Sequence, residues 1–276
     1  MPFSVRAGGS YNPSWITGGG LSAGQLKDFL AGHINAAVQA VGAKAFVVDV
    51  VNEPFCDFPG QCEPSGGVFK AAVPWYPKVD DYVAFAFKTA RAAADKHAPH
   101  LKLFVNDYSL LGNDFKAGRA EAGIKMLLGA GAPIDGLGVQ AHMGGSQPDG
   151  AAWASRMQTF KSLGLMLQIT EMDAECGDPC EGDAAAKQAQ VFGDVLTACL
   201  TTVPDAEGAP GCGAHLTWGF TDKYSWLNQP GHMVNPLPFD ADYQPKPAAL
   251  EMLAVLQHWA AGVRDPTRPW AYAARA

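Results

Sequence analysis

Short, almost wholly apolar runs alternate with amphipathic segments along most of this chain, and the alternation restricts the folds open to it. The runs are "KAFVVDVV" (44–51), "LKLFVND" (101–107), "IDGLGVQAH" (134–142), "LMLQITEMD" (165–173) and "AHLTWGF" (214–220). Each is rich in β-branched or aromatic residues, as expected of parallel strands covered on both faces. Between them, apolar residues recur at helical spacing near 22–41, 79–97, 115–130, 150–162, 184–202 and 246–261. Strand followed by helix, repeated, implies βα units and a parallel sheet. Gly/Pro-rich loops at 54–77, 203–213 and 221–245 interrupt the units without dividing the chain, so one domain over residues 1–276 is expected.

Length and charge agree with that reading. A chain of 276 residues, 48% hydrophobic and 17% charged, suits one large-cored α/β barrel domain. The net charge of −7, with no basic run, argues against nucleic acid or an anionic membrane as a partner. No apolar run approaches the roughly 18 residues of a membrane span. "MPFSVRAGGS" has neither the charged nor the apolar region of a signal peptide. Either such a peptide was removed or the first Met is artificial.

Six cysteines fall in three close sets, Cys56/Cys62, Cys176/Cys180 and Cys199/Cys212. An even count in local pairs, within Gly/Pro-rich loops, points to disulfides and an oxidising compartment, hence to a secreted, extracellular protein. Six reduced thiols are the alternative. Zinc is poorly supported, because Cys176 and Cys180 sit among Glu175, Asp178 and Glu181 without a nearby His. His33, His97, His100, His215, His232 and His258 lack ligand spacing and are expected on surfaces or in loops. No metal or organic cofactor is implied.

The ends of the strands carry the chemistry. The first closes on Asn52 and Glu53, the second on Asn106 and Asp107, the third on Gln140 and His142, the fourth on Glu171 and Asp173, and the fifth beside Trp218. In a (β/α) barrel these carboxyl ends form one face, where catalytic groups collect. Two carboxylates at the ends of separate rigid strands, Glu53 and Glu171, suit glycoside hydrolysis: one protonates the leaving oxygen, the other attacks the anomeric carbon or activates water. Two unrelated capping or salt-bridged glutamates are the plainer alternative.

Six motifs, in order, carry a resemblance. "DVVNEPF" (49–55) resembles the acid/base segment of family 10 glycoside hydrolases, the retaining endo-β-1,4-xylanases. "ITEMD" (169–173) resembles their nucleophile strand, and "KLFVNDYSL" (102–110) their N-D-Y strand. "PIDGLGVQAHM" (133–143), "LTWGFTDKYSWL" (216–227) and "PLPFDADYQPKPA" (236–248) resemble three further family segments. The resemblance implies a TIM-type (β/α) barrel that is N-terminally truncated or incomplete, with about six βα units. It implies Glu53 as general acid/base and Glu171 as nucleophile. Asn52 would bind the 2-hydroxyl of the reacting sugar, and His142 would bond Glu171 and be oriented by Asp173. Gln140 would line the same subsite, Trp218 and Trp226 would form a platform and lid for sugar rings, and Asn106 would support them, with Asp107 and Tyr108. Cys199 and Cys212 match a disulfide found in many of these enzymes; the other two pairs do not.

The N-terminus departs from the family. "FSVRAGGSYNPSW" (3–15) resembles the third family strand, but Ala7, Gly8, Gly9 and Ser10 stand where an H-T-L-V-W-H run is usual. The first two βα units have no counterpart, so weakened glycone subsites and two open sheet edges are expected. Loops could plug the seam in a monomer, which is favoured over association with a second chain. The implied substrate is xylan or xylo-oligosaccharides. A non-catalytic carbohydrate-binding relative, or a retaining β-glycosidase of other specificity, remain as alternatives.

Overall fold

Six strands and seven α-helices alternate in a computed structural model that describes residues 5–6, 12–63, 67–71, 74–144, 150–204, 210–263 and 268. The strands are β1 (Val5–Arg6), β2 (Val47–Asn52), β3 (Lys102–Tyr108), β4 (Gly136–Met143), β5 (Met166–Ala174) and β6 (Cys212–Thr217). The helices are α1 (Ser14–Thr17), α2 (Ala23–Val41), α3 (Tyr82–His97), α4 (Asp114–Gly129), α5 (Gly150–Lys161), α6 (Gly182–Thr201) and α7 (Pro247–Ala261). Ala7 to Ser10, where the family run was sought, lie outside the described residues. The chain divides into two compact units, residues 1–138 and 139–276.

In the first unit β1, β2 and β3 pair in parallel, in chain order. The apolar runs that suggested strands are buried as expected: Val48, Val50 and Val51 on β2, and Leu103, Phe104 and Val105 on β3, are 0–1% exposed. Helix α2 starts where the sequence signals it. The Ser22 hydroxyl accepts the Gln25 N–H, and the Gln25 side chain accepts the Ser22 N–H, a reciprocal cap that satisfies two otherwise orphaned donors. Its apolar stripe, Leu26, Leu30, Ile34 and Val38, is buried, and α2 packs against α3. Strand β4 begins beside β3, where Asp135 N–H donates to the Leu103 carbonyl and the Asp135 carboxylate accepts the Leu103 N–H. Gly136 is required there, because a Cβ would overlap the Phe104 ring.

In the second unit the end of β4 lies beside β5, with Glu175 N–H donating to the Met143 carbonyl. Strands β5 and β6 pair in parallel. Helix α6 is buried along most of its length and packs against both α5 and α7. Arg268 clamps α6 to α7, its guanidinium bonding Asp194 at 2.7 Å and Glu251 at 2.8 Å.

Two expectations need correction here. Strand β6 stops at Thr217 rather than reaching residue 220, because Gly219 takes φ 121°, a backbone conformation that ends an extended run. His215 is not in a loop: it lies in β6 with a buried ring Nε2, and burial pulls its pKa down to about 4, so it is neutral. The cysteines pair as their proximity suggested, Cys56–Cys62, Cys176–Cys180 and Cys199–Cys212.

Candidate active site

Side-chain alternation and strand register assemble two clusters, one in each unit. In the first, β2 and β3 run one for one from Val47 opposite Lys102 to Asp49 opposite Phe104, then slip by one residue so that Val51 meets Val105 and Asn52 meets Asn106. That slip brings the two amides together. Asn106 Nδ2 donates to Asn52 Oδ1 at 2.9 Å, and Asn52 Nδ2 donates to Glu53 Oε1 at 3.0 Å. Glu53 leaves the strand with φ 59°, a left-handed conformation uncommon for a residue with a side chain, while its N–H donates to the Asn106 carbonyl at 2.7 Å. The opening of the loop after Glu53 is held in place: Asp107, fully buried, accepts the Phe55 N–H at 2.9 Å.

Beneath this turn lies an ionic cluster that the sequence reading did not foresee. Lys116 of α4, fully buried, bonds Asp57 at 2.6 Å and Asp107 at 2.8 Å. Its ammonium also lies 3.1 Å from the centroid of the Tyr108 ring. The Tyr108 hydroxyl donates to Asp57 at 2.6 Å and accepts from Lys70 at 3.0 Å. Burial works to raise the pKa of Asp57, but the bonds from Lys116 and Tyr108 and the lysine charges prevail and hold it below the usual carboxylate value. The available signal was Lys116 itself, which falls on the buried stripe of α4 with Ala120 and Ile124.

In the second unit, Glu171 and Asp173 are two apart on β5, and Gln140 and His142 are two apart on β4. Each pair therefore shares a face of its strand. His142 sits between the carboxylates, Nε2 at 3.1 Å from Glu171 Oε2 and Nδ1 at 3.0 Å from both Asp173 oxygens. Burial opposes a charge on the ring, yet the bonds to Asp173 and Glu171 and their negative charges prevail, and His142 is pushed up to about 9. At neutral pH it is an imidazolium that donates from both nitrogens. The Trp226 indole N–H donates to Asp173 at 2.9 Å, and its ring meets the His142 ring edge-on at 5.3 Å between centroids. Trp218 meets His142 edge-on at 6.4 Å, and its backbone N–H donates to the Met172 carbonyl on β5. Gln140 is buried on β4, two residues before His142.

The loop bearing Trp226 has its own anchor. Asp222 accepts the Leu237 N–H at 2.7 Å and pairs at 2.9 Å with Lys246, which also donates to the carbonyls of Asn235 and Leu237. Asn228 fastens the loop's far side to the backbone of Asp222, Val234 and Asn235.

A family model, Glycosyl hydrolase family 10, matches residues 9–255. The chain belongs to glycosyl hydrolase family 10. This family 10 chain is 33% identical to endo-1,4-beta-xylanase D of Talaromyces funiculosus, over 89% of its own length and 56% of the relative's. It is 30% identical to endo-1,4-beta-xylanase C of Phanerodontia chrysosporium, over 86% of its length and 55% of the relative's. The chain thus spans little more than half the length of these curated relatives. Among solved structures it resembles native xylanase 10B of Thermotoga maritima, with a TM-score of 0.75 at 30% identity over 90% of this chain and 71% of that one. It also resembles xylanase 10B of Thermotoga petrophila RKU-1, solved with xylobiose, with a TM-score of 0.76 at 31% identity over 89% and 70%. The fold class is accordingly the α/β, TIM-type barrel of family 10.

Proposed function

We propose that residues 1–276 act as one catalytic domain, a retaining endo-β-1,4-xylanase that cleaves xylan or xylo-oligosaccharides by double displacement. The observation that carries this reading is the bonded series Glu171–His142–Asp173–Trp226. An imidazolium held between two carboxylates fixes the orientation of the Glu171 carboxyl, as a nucleophile requires. The xylanase names of the relatives, and the xylobiose in one similar structure, support the choice of substrate.

In the first step, the Glu171 carboxylate attacks the anomeric carbon. The glycosidic C–O bond breaks as Glu53 gives its proton to the departing oxygen, leaving a glycosyl ester on Glu171. In the second, Glu53, now a carboxylate, takes a proton from water, whose oxygen attacks the same carbon and releases Glu171. Asn52, bonded to Glu53 and steadied by Asn106, offers its amide to the sugar 2-hydroxyl. Gln140 lines the subsite, and the indoles of Trp218 and Trp226 cover the apolar face of the ring.

The protein is further proposed to be secreted and monomeric, with no nucleic-acid or membrane partner. Among the described residues, no helix is long and apolar enough to cross a membrane. The deciding experiment measures reducing-sugar release from xylan and β-glucan by wild type, Glu53→Ala and Glu171→Ala. Wild type is expected to prefer xylan and Glu171→Ala to be inactive on every substrate. Glu53→Ala is expected to retain activity on aryl xylosides with good leaving groups, which need little protonation. Xylan binding without turnover by wild type would refute the enzymatic reading.

A further inference from the structure

The chain just past Glu53 is braced in a way the chemistry above does not use. Segments 54–56, 61–63 and 68–71 form a small antiparallel rib, with bridges Phe55 to Phe69 and Cys62 to Lys70, and the Cys56–Cys62 disulfide joins two of them. Lys70 holds this rib from both ends. Its N–H donates at 2.8 Å to the carbonyl of Pro54, the residue directly after Glu53. Its ammonium, on a side chain only 8% exposed, donates at 3.0 Å to the Tyr108 hydroxyl at the end of β3. Tyr108 passes the bond to Asp57, and Asp57 shares Lys116 with Asp107, which accepts the Phe55 N–H. The side-chain bonds fasten this part of the chain to β3 or α4, and β3 also receives the Glu53 N–H through Asn106. A side-chain-bearing residue at φ 59° persists only where its surroundings over-determine it, and these links do so.

We infer that Lys70 is a positioning residue for Glu53. It ties the residue after the acid/base to the end of β3, and so fixes the backbone turn that aims the Glu53 carboxyl. The inference rests on the proposed role of Glu53. The cluster holds two lysines, Lys70 and Lys116, against two aspartates, Asp57 and Asp107, so its charge is balanced. Without the Lys70 ammonium, the Tyr108 hydroxyl loses a donor and Asp57 loses the second of its two cations, 3.8 Å away. The turn then loosens, and the carboxyl no longer meets the leaving oxygen in line. Proton delivery to a poor leaving group suffers, whereas an activated aryl leaving group departs without it.

The test compares wild type, Lys70→Met and Lys70→Arg on xylohexaose and on an aryl β-xylobioside with a good leaving group, with folding checked by thermal melting. Folded Lys70→Met is expected to lose at least tenfold in kcat on xylohexaose with little change in KM, and less than twofold on the aryl substrate. Lys70→Arg is expected to recover most of the loss. An equal fall on both substrates, or none on either, overturns the inference. Should Lys70→Met fail to fold, Tyr108→Phe removes only the hydroxyl. It is expected to show the same split at smaller size, and absence of the split overturns the inference equally. Glu53→Ala is measured alongside. Equal loss on both substrates in that variant means that Glu53 is not the acid/base, a failure of the underlying reading that is distinct from a failure of Lys70.

Discussion

Replacing His142 with Gln removes the cation that lies between Glu171 and Asp173. The ring's ordinary pKa of 6.5 rises to about 9 in the folded protein, because the bonds and charges of the two carboxylates outweigh its burial. At about 1.4 kcal/mol per pH unit, that rise corresponds to stabilisation on the order of 3 kcal/mol. The folded value lies above the unfolded one, so the contribution is full below about pH 6.5 and fades as the pH rises to about 9. Urea unfolding of wild type and His142→Gln at several pH values between about 6 and 10 isolates the effect, since titrations elsewhere cancel in the difference. The stability gap is expected to be widest near pH 6 and to shrink by a few kcal/mol by pH 10. Nitrogen-15 NMR of wild type near pH 7.5 should show both ring nitrogens protonated. A gap that stays flat across this range, or a neutral ring at pH 7.5, would refute the imidazolium and with it the charged contact that orients Glu171.

Other perturbations test other parts of the structure. Lys246→Met leaves Asp222 buried without its cation and should cost about 3–5 kcal/mol in chemical denaturation, loosening the loop that carries Trp226. Removing Cys199 and Cys212 together opens the longest disulfide loop, with a separation of 13, and should cost about 3 kcal/mol in the chain-entropy model, more than either shorter loop. Gly136→Ala drives a methyl group into the Phe104 ring and should lower stability by about 1–3 kcal/mol with no change in substrate preference. Trp226→Phe keeps an aromatic ring but loses the bond to Asp173, and should reduce kcat/KM on xylohexaose several-fold without unfolding the protein.

The strands, the helices and the candidate carboxylates were legible in the chain alone, because each is a local signal. A strand covered on both faces must be apolar throughout, so β2 to β5 announced themselves by composition. The resemblance carried by the ordered motifs marked Asn52, Glu53, His142, Glu171 and Asp173 as candidates. Close spacing was enough to pair the cysteines. What only the tertiary structure decided depends on register and on distance along the chain. The slip between Asp49 and Val51 sets Asn52 opposite Asn106; without it Asn52 would face Asp107, and no periodicity in either strand reveals the extra residue. A lysine on an apolar stripe, as Lys116 is on α4, can still reach solvent through its long side chain, so the stripe alone does not bury its charge. Its burial is decided by folding, which brings Asp57, 59 residues away in sequence, to the same ammonium as Asp107 at the end of β3. Asp222 and Lys246 likewise have no local reason to be buried, because a charge leaves water only when a partner from another part of the chain meets it, and folding alone brings the two together.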